Sequence, residues 1–130
     1  DSVIPDEENL NNISIIARID VGSTSIMTTG DAEVEEEMQV VENYTSILGS
    51  SLYDPAILDC DILQVGHHGS STSSTSEFLD LVTPGVAVIS CGVDNSYGHP
   101  HQETLDLFAD YGFEVYRTDL SGTIVLSGEP

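Results

Sequence analysis

Apolar positions along the chain fall into short runs separated by polar breaks. ISIIARIDV (13–21) is rich in isoleucine and reads as a strand, GST (22–24) as a turn, and SIMTT (25–29) as the returning strand of a hairpin. Gly30-Asp31 then breaks the pattern. AEVEEEMQVVENY (32–44) sets Val34, Met38 and Val41 at i, i+4 and i+7, the period of an amphipathic helix. Its glutamates crowd the amino end, where the helix dipole favours negative charge. Residues 45–60 fit a short helix or a loop, broken at Asp54-Pro55. DILQV (61–65) reads as a short strand, SEFLDLV (76–82) as a helix capped by Ser76, and GVAVIS (85–90) as a buried strand. HQETLDLFADYG (101–112) predicts a helix with Pro100 near its first turn and Gly112 just past its end. FEVYRT (113–118) and GTIVLS (122–127) read as two strands joined by a turn at Asp119–Ser121.

The resulting order, β-β-α-(α)-β-α-β-α-β-β, predicts an α/β fold with parallel pairing. Residues 1–12 form a polar lead-in. No internal repeat or linker divides the remainder, so 1–130 reads as a single domain or part of one. The abrupt polar start at Asp1 reads as a cut end.

Charge narrows the possibilities. The formal net charge is −21, with two arginines and no lysine. Such a surface repels nucleic acid and anionic membrane unless metal ions intervene. No apolar run approaches the length of a membrane span, and no signal peptide is visible; direct membrane contact is not expected. Cys60 precedes one predicted strand and Cys91 ends another. In parallel strands that separates them by roughly 15 Å at about 3.3 Å per residue, too far for a disulfide. Two buried free thiols are expected.

The remaining chemistry is concentrated after strands, where α/β sheets build their sites. TTGD places Asp31 after the 25–29 strand; VGHHGS places His67 and His68 after 61–65; CGVDNSYGHPH places Asp94, His99 and His101 after 86–90. All four histidines of the chain lie in two of these loops. A carboxylate and imidazoles meeting at strand ends are a ligand set for zinc, manganese or iron. Gly66 and Gly69 flank the histidine pair and leave room for close approach; amides around Gly69 and Ser70 offer an anion site. Taken singly, each residue has a plainer reading. Asp31 fits the N-cap of the 32–44 helix, His99 and His101 fit turn and cap positions around Pro100, and an isolated histidine pair is usually exposed and idle. Cys91 reads as a ligand or a buried thiol, and Tyr97 as core or site wall.

TTGDAE, DILQVGHHGSSTSSTSEFLDLVTPGVAVIS, YGHPHQETLDLF and VYRTDLSGTIVL together resemble the C-terminal half of the metallo-β-lactamase-like domain of the ComEC competence-protein family, over most of residues 10–127. The resemblance implies half of an αββα sandwich with a two-metal site (zinc or manganese) at the sheet edge. It also implies hydrolysis of phosphodiesters linked to DNA uptake, in an extracytoplasmic setting. It casts Asp31 as the residue bridging two metals and the histidine pair as a metal-ligand position, His67 ahead of His68. His99 would contact the scissile phosphate, with His101 beside it as the second catalytic histidine. Asn11 or Asn12 falls where many relatives carry another histidine. The superfamily motif His-x-His-x-Asp-His is absent from this chain. Alone, the chain is therefore expected to bind metal weakly or not at all, to be inactive, and to have no measurable DNA affinity without divalent metal. Any DNA contact would come through other parts of a parent protein. The alternatives on the same fold are a non-catalytic module and an esterase for small phosphoesters, phosphocholine or lactones.

Overall fold

The computed structural model describes residues 10–47, 50, 54 and 56–128. Its centre is a five-stranded sheet: β1 (Ala17–Val21), β2 (Thr24–Thr28), β3 (Ile62–Gln64), β4 (Val86–Ile89) and β5 (Glu114–Arg117). Spatial order equals chain order. β1 and β2 form the antiparallel hairpin, in register Ile19 to Ile26, and β2 to β5 are all parallel. The crossovers are α1 (Val34–Ser46), α2 (Ser76–Val82) and α3 (Gln102–Tyr111). Parallel crossovers share one hand. Because the strand order never reverses, all three helices land on the same face.

That face is the core. Met27, Leu63, Ala87 and Ile89 from the strands meet Phe78, Leu79, Val82 and Phe108 from the helices, all buried, with Val40, Val41 and Leu105 packed at the margin. Alternation along the strands sends the neighbouring residues to the other face. There Ile26, Ile62 and Val86 lie side by side in register, half-buried, next to Ile19, which is 47% exposed. Parallel strands ordinarily have both faces covered.

Several expected boundaries shift. The isoleucine-rich run does not extend from residue 13: Leu10–Ile13 is a 3-10 turn and pairing begins at Ala17. Thr75, not Ser76, caps α2, its hydroxyl accepting from Phe78 N at 3.3 Å. Pro100 lies outside α3, ahead of the cap position His101, while Gly112 closes that helix in the left-handed conformation (φ +76°). The expected final strand at 122–127 is absent. The chain turns through a short helix, α4 (Thr118–Ser121), and residues 122–128 pair with no strand. The segment pairs with neither edge strand, β1 nor β5; instead, a Cβ on Gly128 would lie 3.0 Å from Thr24 Oγ1. The helix-or-loop question at 45–60 falls largely outside the described residues, although α1 runs on to Ser46. Both cysteines are free, as expected, but only Cys60 is buried; Cys91 is half-exposed. Burial beside Asp59 pushes the Cys60 thiol up to about 11.

Candidate functional site

Asp31 follows β2, His67 and His68 follow β3, and His99 follows β4. The sheet carries them to one end, where they line a single cleft of about 270 Å3 with Asn11 and Tyr97. His99 has its ring centroid 5.5 Å from that of His67 and 6.3 Å from that of His68. Asn12 turns away and donates to Glu35 Oε2 at 3.2 Å, so of the two asparagines it is Asn11 that meets the cleft. Asp94 is exposed with φ +52° and lines neither this cleft nor its neighbour.

Adjacent histidines in a strand would point to opposite faces, but these do not continue the strand. Gly66–Gly69 is one tight turn in which His67 (φ +46°) and His68 (φ +58°) are both left-handed. Two successive left-handed residues that are not glycine are costly, and such strain persists only where the surroundings impose it. Here His67 N donates to Gly30 O at 3.0 Å, Ser70 N to His67 O at 3.0 Å, and His101 N to Gly69 O at 2.9 Å. Gly69 is required by contact: at φ +81°, a Cβ would sit 2.6 Å from that of Pro100. Gly66 is enclosed by Thr29, Ala32 and Ser73. The two glycines therefore pack the loop against its neighbours rather than opening it to a substrate. The Ser70 amide is spent on His67 and is not an anion donor.

The turn sends the rings to different partners. His67 Nδ1 lies 2.9 Å from Glu33 Oε1 and 3.3 Å from Thr72 Oγ1. His68 Nδ1 lies 2.7 Å from Ser90 O, and its Nε2 lies 3.3 Å from Asp31 Oδ1. A backbone carbonyl can only accept, so the proton of neutral His68 is on Nδ1. Its Nε2 lone pair then faces a carboxylate oxygen, two acceptors that need a proton or a cation between them. A carbonyl fixing the distal nitrogen is also how metal-ligating histidines are commonly oriented. Of the two adjacent histidines, His68 is the one that stands against Asp31.

His101 is differently engaged. Its Nδ1 accepts from Ser71 N at 2.9 Å, which leaves the proton on Nε2, 3.2 Å from Tyr97 O. Both nitrogens are used, and the ring ties the serine loop to the tyrosine loop. It occupies the α3 cap position without a side-chain cap bond. Among the described residues neither ring nitrogen of His99 has a hydrogen-bond partner, while its backbone is clamped by Asn95 at 2.9 and 2.6 Å. Burial, then the nearby His101, His67 and His68 rings, hold the His99 pKa below the ordinary histidine value, with Asp31 opposing.

Asp31 is not the cap of α1, since that helix starts at Val34 with Glu33 in the cap position. Glu33 was hidden from sequence reading. It receives His67 and the Asn11 amide at 3.1 Å, yet it stands in a run of glutamates that all suit a helix start. Glu37 was hidden for the same reason. It is buried in the first turn of α1, where its carboxylate accepts from Ser74 N and Thr75 N, each at 2.7 Å, and so pins the loop behind the histidine turn. Cys91 lines a neighbouring cleft of about 190 Å3, and Tyr97 walls both clefts rather than joining the core. Among the described residues, no group of three or more His, Cys, Asp or Glu is arranged to hold a metal ion by itself.

No protein-family model matches the chain. It is 38% identical to ComE operon protein 3 of Bacillus subtilis (strain 168) over 120 residues, 92% of this chain and 14% of that protein. Competence protein ComA of Neisseria gonorrhoeae is 36% identical over 88% of the chain, and recombination protein 2 of Haemophilus influenzae 35% over 88%. The chain belongs to the ComEC family of competence proteins. It spans about one seventh of the length of these ComEC-family relatives. Among the described residues no helix is long and apolar enough to cross a membrane.

Proposed function

We propose that this segment supplies one side of a metal-dependent phosphodiesterase site serving DNA uptake, within a metallo-β-lactamase-like sandwich on the outer side of the membrane. The observation that carries the proposal is the facing pair at the strand ends, His68 Nε2 and Asp31 Oδ1 at 3.3 Å, with Ser90 fixing the imidazole. The donor set suits a divalent ion of the zinc or manganese type. The half-buried apolar face of the sheet supports the sandwich reading, because Ile19, Ile26, Ile62 and Val86 offer it a second layer.

In this reading Asp31 and His68 hold the ion, and His67, backed by Glu33 and Thr72, walls the cleft beside them. A divalent ion there supplies the charge that makes water nucleophilic near neutral pH and offsets charge on the phosphoryl oxygens. His99 is the imidazole left free to donate a hydrogen bond to a phosphoryl or leaving oxygen. His101 acts as a positioning residue, holding Tyr97 and the serine loop together. The test is titration with Mn2+ and Zn2+, followed by hydrolysis of a chromogenic phosphodiester by a ComEC-family protein carrying this segment. His68→Asn, which tolerates the left-handed backbone, should weaken metal binding and abolish hydrolysis. Full activity in that variant would reject the proposal.

A second reading, a small phosphoester substrate, is favoured by the arginines. Arg18 pairs with Asp20 at 2.9 Å and Arg117 with Asp119 at 2.6 Å, so neither is free to follow a nucleic-acid backbone. Activity that is independent of oligonucleotide length would support it.

A further inference from the structure

The cleft at Asp31 is separated from the smaller one at Cys91 by a ridge of three rings, His68, His99 and Tyr97. These rings are nearly parallel: Tyr97 lies at 20° to His99 with centroids 5.6 Å apart, and His68 at 22° with centroids 6.3 Å apart. Tyr97 ends the row and is 76% exposed. An exposed aromatic needs no special explanation by itself. This one is held from behind: His101 Nε2 binds its carbonyl at 3.2 Å, and the same His101 ring is fixed by Ser71. The smaller cleft beside it has mostly apolar walls, formed by Cys91, Gly92 and the ridge, with Asn95 at its edge. The Asn95 Nδ2 donates to Gly92 O and His99 O, at 3.0 and 2.6 Å, and its Oδ1 accepts from His99 N at 2.9 Å.

From this arrangement we infer that the ridge and the Cys91 cleft form a stacking subsite for one nucleobase of a single-stranded DNA end, next to the cleft that would take its phosphodiester. The inference deepens the phosphodiesterase reading and rests on it for the identity of the neighbouring cleft. Three observations select this occupant. At about 190 Å3 the cleft suits one planar heterocycle and excludes a base pair. The ridge it shares with the carboxylate–imidazole cleft places a base and its phosphate on adjoining surfaces. Finally, a chain of net charge −21 with both arginines paired cannot rely on phosphate neutralisation, whereas stacking on an aromatic face needs no basic track. Because both Asn95 N–H donors are committed, the subsite should discriminate little among the four bases.

The test uses a dinucleotide carrying 2-aminopurine, whose fluorescence is quenched on stacking, beside an abasic dinucleotide with the same phosphodiester. Both are titrated, with Mn2+, against a ComEC-family protein carrying this segment, and Mn2+ binding is followed separately by electron paramagnetic resonance. The base-containing probe should be quenched and should outcompete the abasic one. Tyr97→Ala should weaken it roughly tenfold, within the range of one base–aromatic stack, and Tyr97→Phe should restore it. Mn2+ affinity should be unchanged in both variants. Equal affinity for base-containing and abasic probes, or a Tyr97→Ala variant that binds the base as the parent does, would overturn the inference. Mn2+ binding without quenching removes the subsite and leaves the metal reading standing. Quenching without Mn2+ binding removes the metal reading and leaves the subsite. A longer single strand should bind no more than marginally tighter than the dinucleotide, since one base is held; steadily tightening affinity with length would also count against a single-base subsite.

Discussion

The two ends of the parallel strands treat their polar groups in opposite ways. At the amino end, Asp61 is consumed by holding strands together. Its carboxylate accepts from Ser25 N at 2.7 Å and Ser25 Oγ at 3.0 Å, its amide donates to Ser25 O, and its carbonyl takes the amides of Gly85 and Val86. Those bonds hold the Asp61 carboxyl below the usual carboxylate range. At the carboxyl end, acceptor faces acceptor at His68 and Asp31, and His99 has no hydrogen-bonding partner for its ring among the described residues. One end spends its hydrogen-bonding capacity on the fold, and the other keeps it in reserve. The difference teaches that a carboxylate's proximity to a sheet edge says little about its role; what matters is whether its partners can satisfy it.

The largest expected effect lies behind the reserved end. Glu37→Ala leaves two loop amides without their acceptor, which at about 1–3 kcal/mol per buried unsatisfied group should cost roughly 3 kcal/mol in denaturant unfolding. A loss under about 1 kcal/mol would mean that the histidine turn is held by something else. Next, Asp31→Asn should lower Mn2+ affinity at least about tenfold, yet change stability by less than about 0.5 kcal/mol. If it unfolds the chain instead, the two ends are not different in kind. Ser25→Ala inverts this pattern. Losing the hydroxyl on Asp61 should cost about 1 kcal/mol and leave metal binding untouched.

These contrasts also mark what could be read from the chain. The convergence of Asp31, the histidine pair and His99 was legible because strand ends in a parallel sheet share one edge, and glycine and aspartate broke the apolar runs at the right places. Which histidine meets Asp31 was not legible. That depends on two successive left-handed residues, and their cause lies in amides and carbonyls from Gly30, Ser70 and His101. Glu33 and Glu37 were lost among chemically equivalent neighbours; only burial separates a carboxylate that holds a loop from one that faces water. The alternation at 122–127 misled for a related reason. A strand needs to pair with an edge, and local patterning carries no information about whether the chain path brings it to one.

The smallest effect concerns pH. Burial raises the Glu36 and Glu37 pKa values above 4.5, so their contribution to stability is complete below that pH and lost as pH rises. The depressed Asp61 and Asp119 carboxyls contribute above 3.8 and lose that contribution on further acidification. The depressed His99 likewise opposes folding as pH falls below 6.5. With 23 acidic side chains repelling one another, the carboxylates should prevail. The thermal midpoint should rise by a few degrees, equivalent to about 1 kcal/mol, between neutrality and pH 4.5, then fall below 3.8. A steady decline from pH 7 downward would show that His99 and the aspartates dominate.

Because the spatial order of the strands is their order of synthesis, each new strand meets a neighbour that is already in place. The cleft is assembled the same way, one wall per crossover: Asp31 after the hairpin, the imidazole pair after β3, and His99 only after β4. At about 5–20 residues per second on a ribosome, several seconds separate the first wall from the last. During that interval the growing chain has an edge to extend but no enclosed cleft: a lone carboxylate stands first, and an adjoining imidazole joins it only later. Closure of the cleft is therefore a late event in the life of the polypeptide, timed by topology.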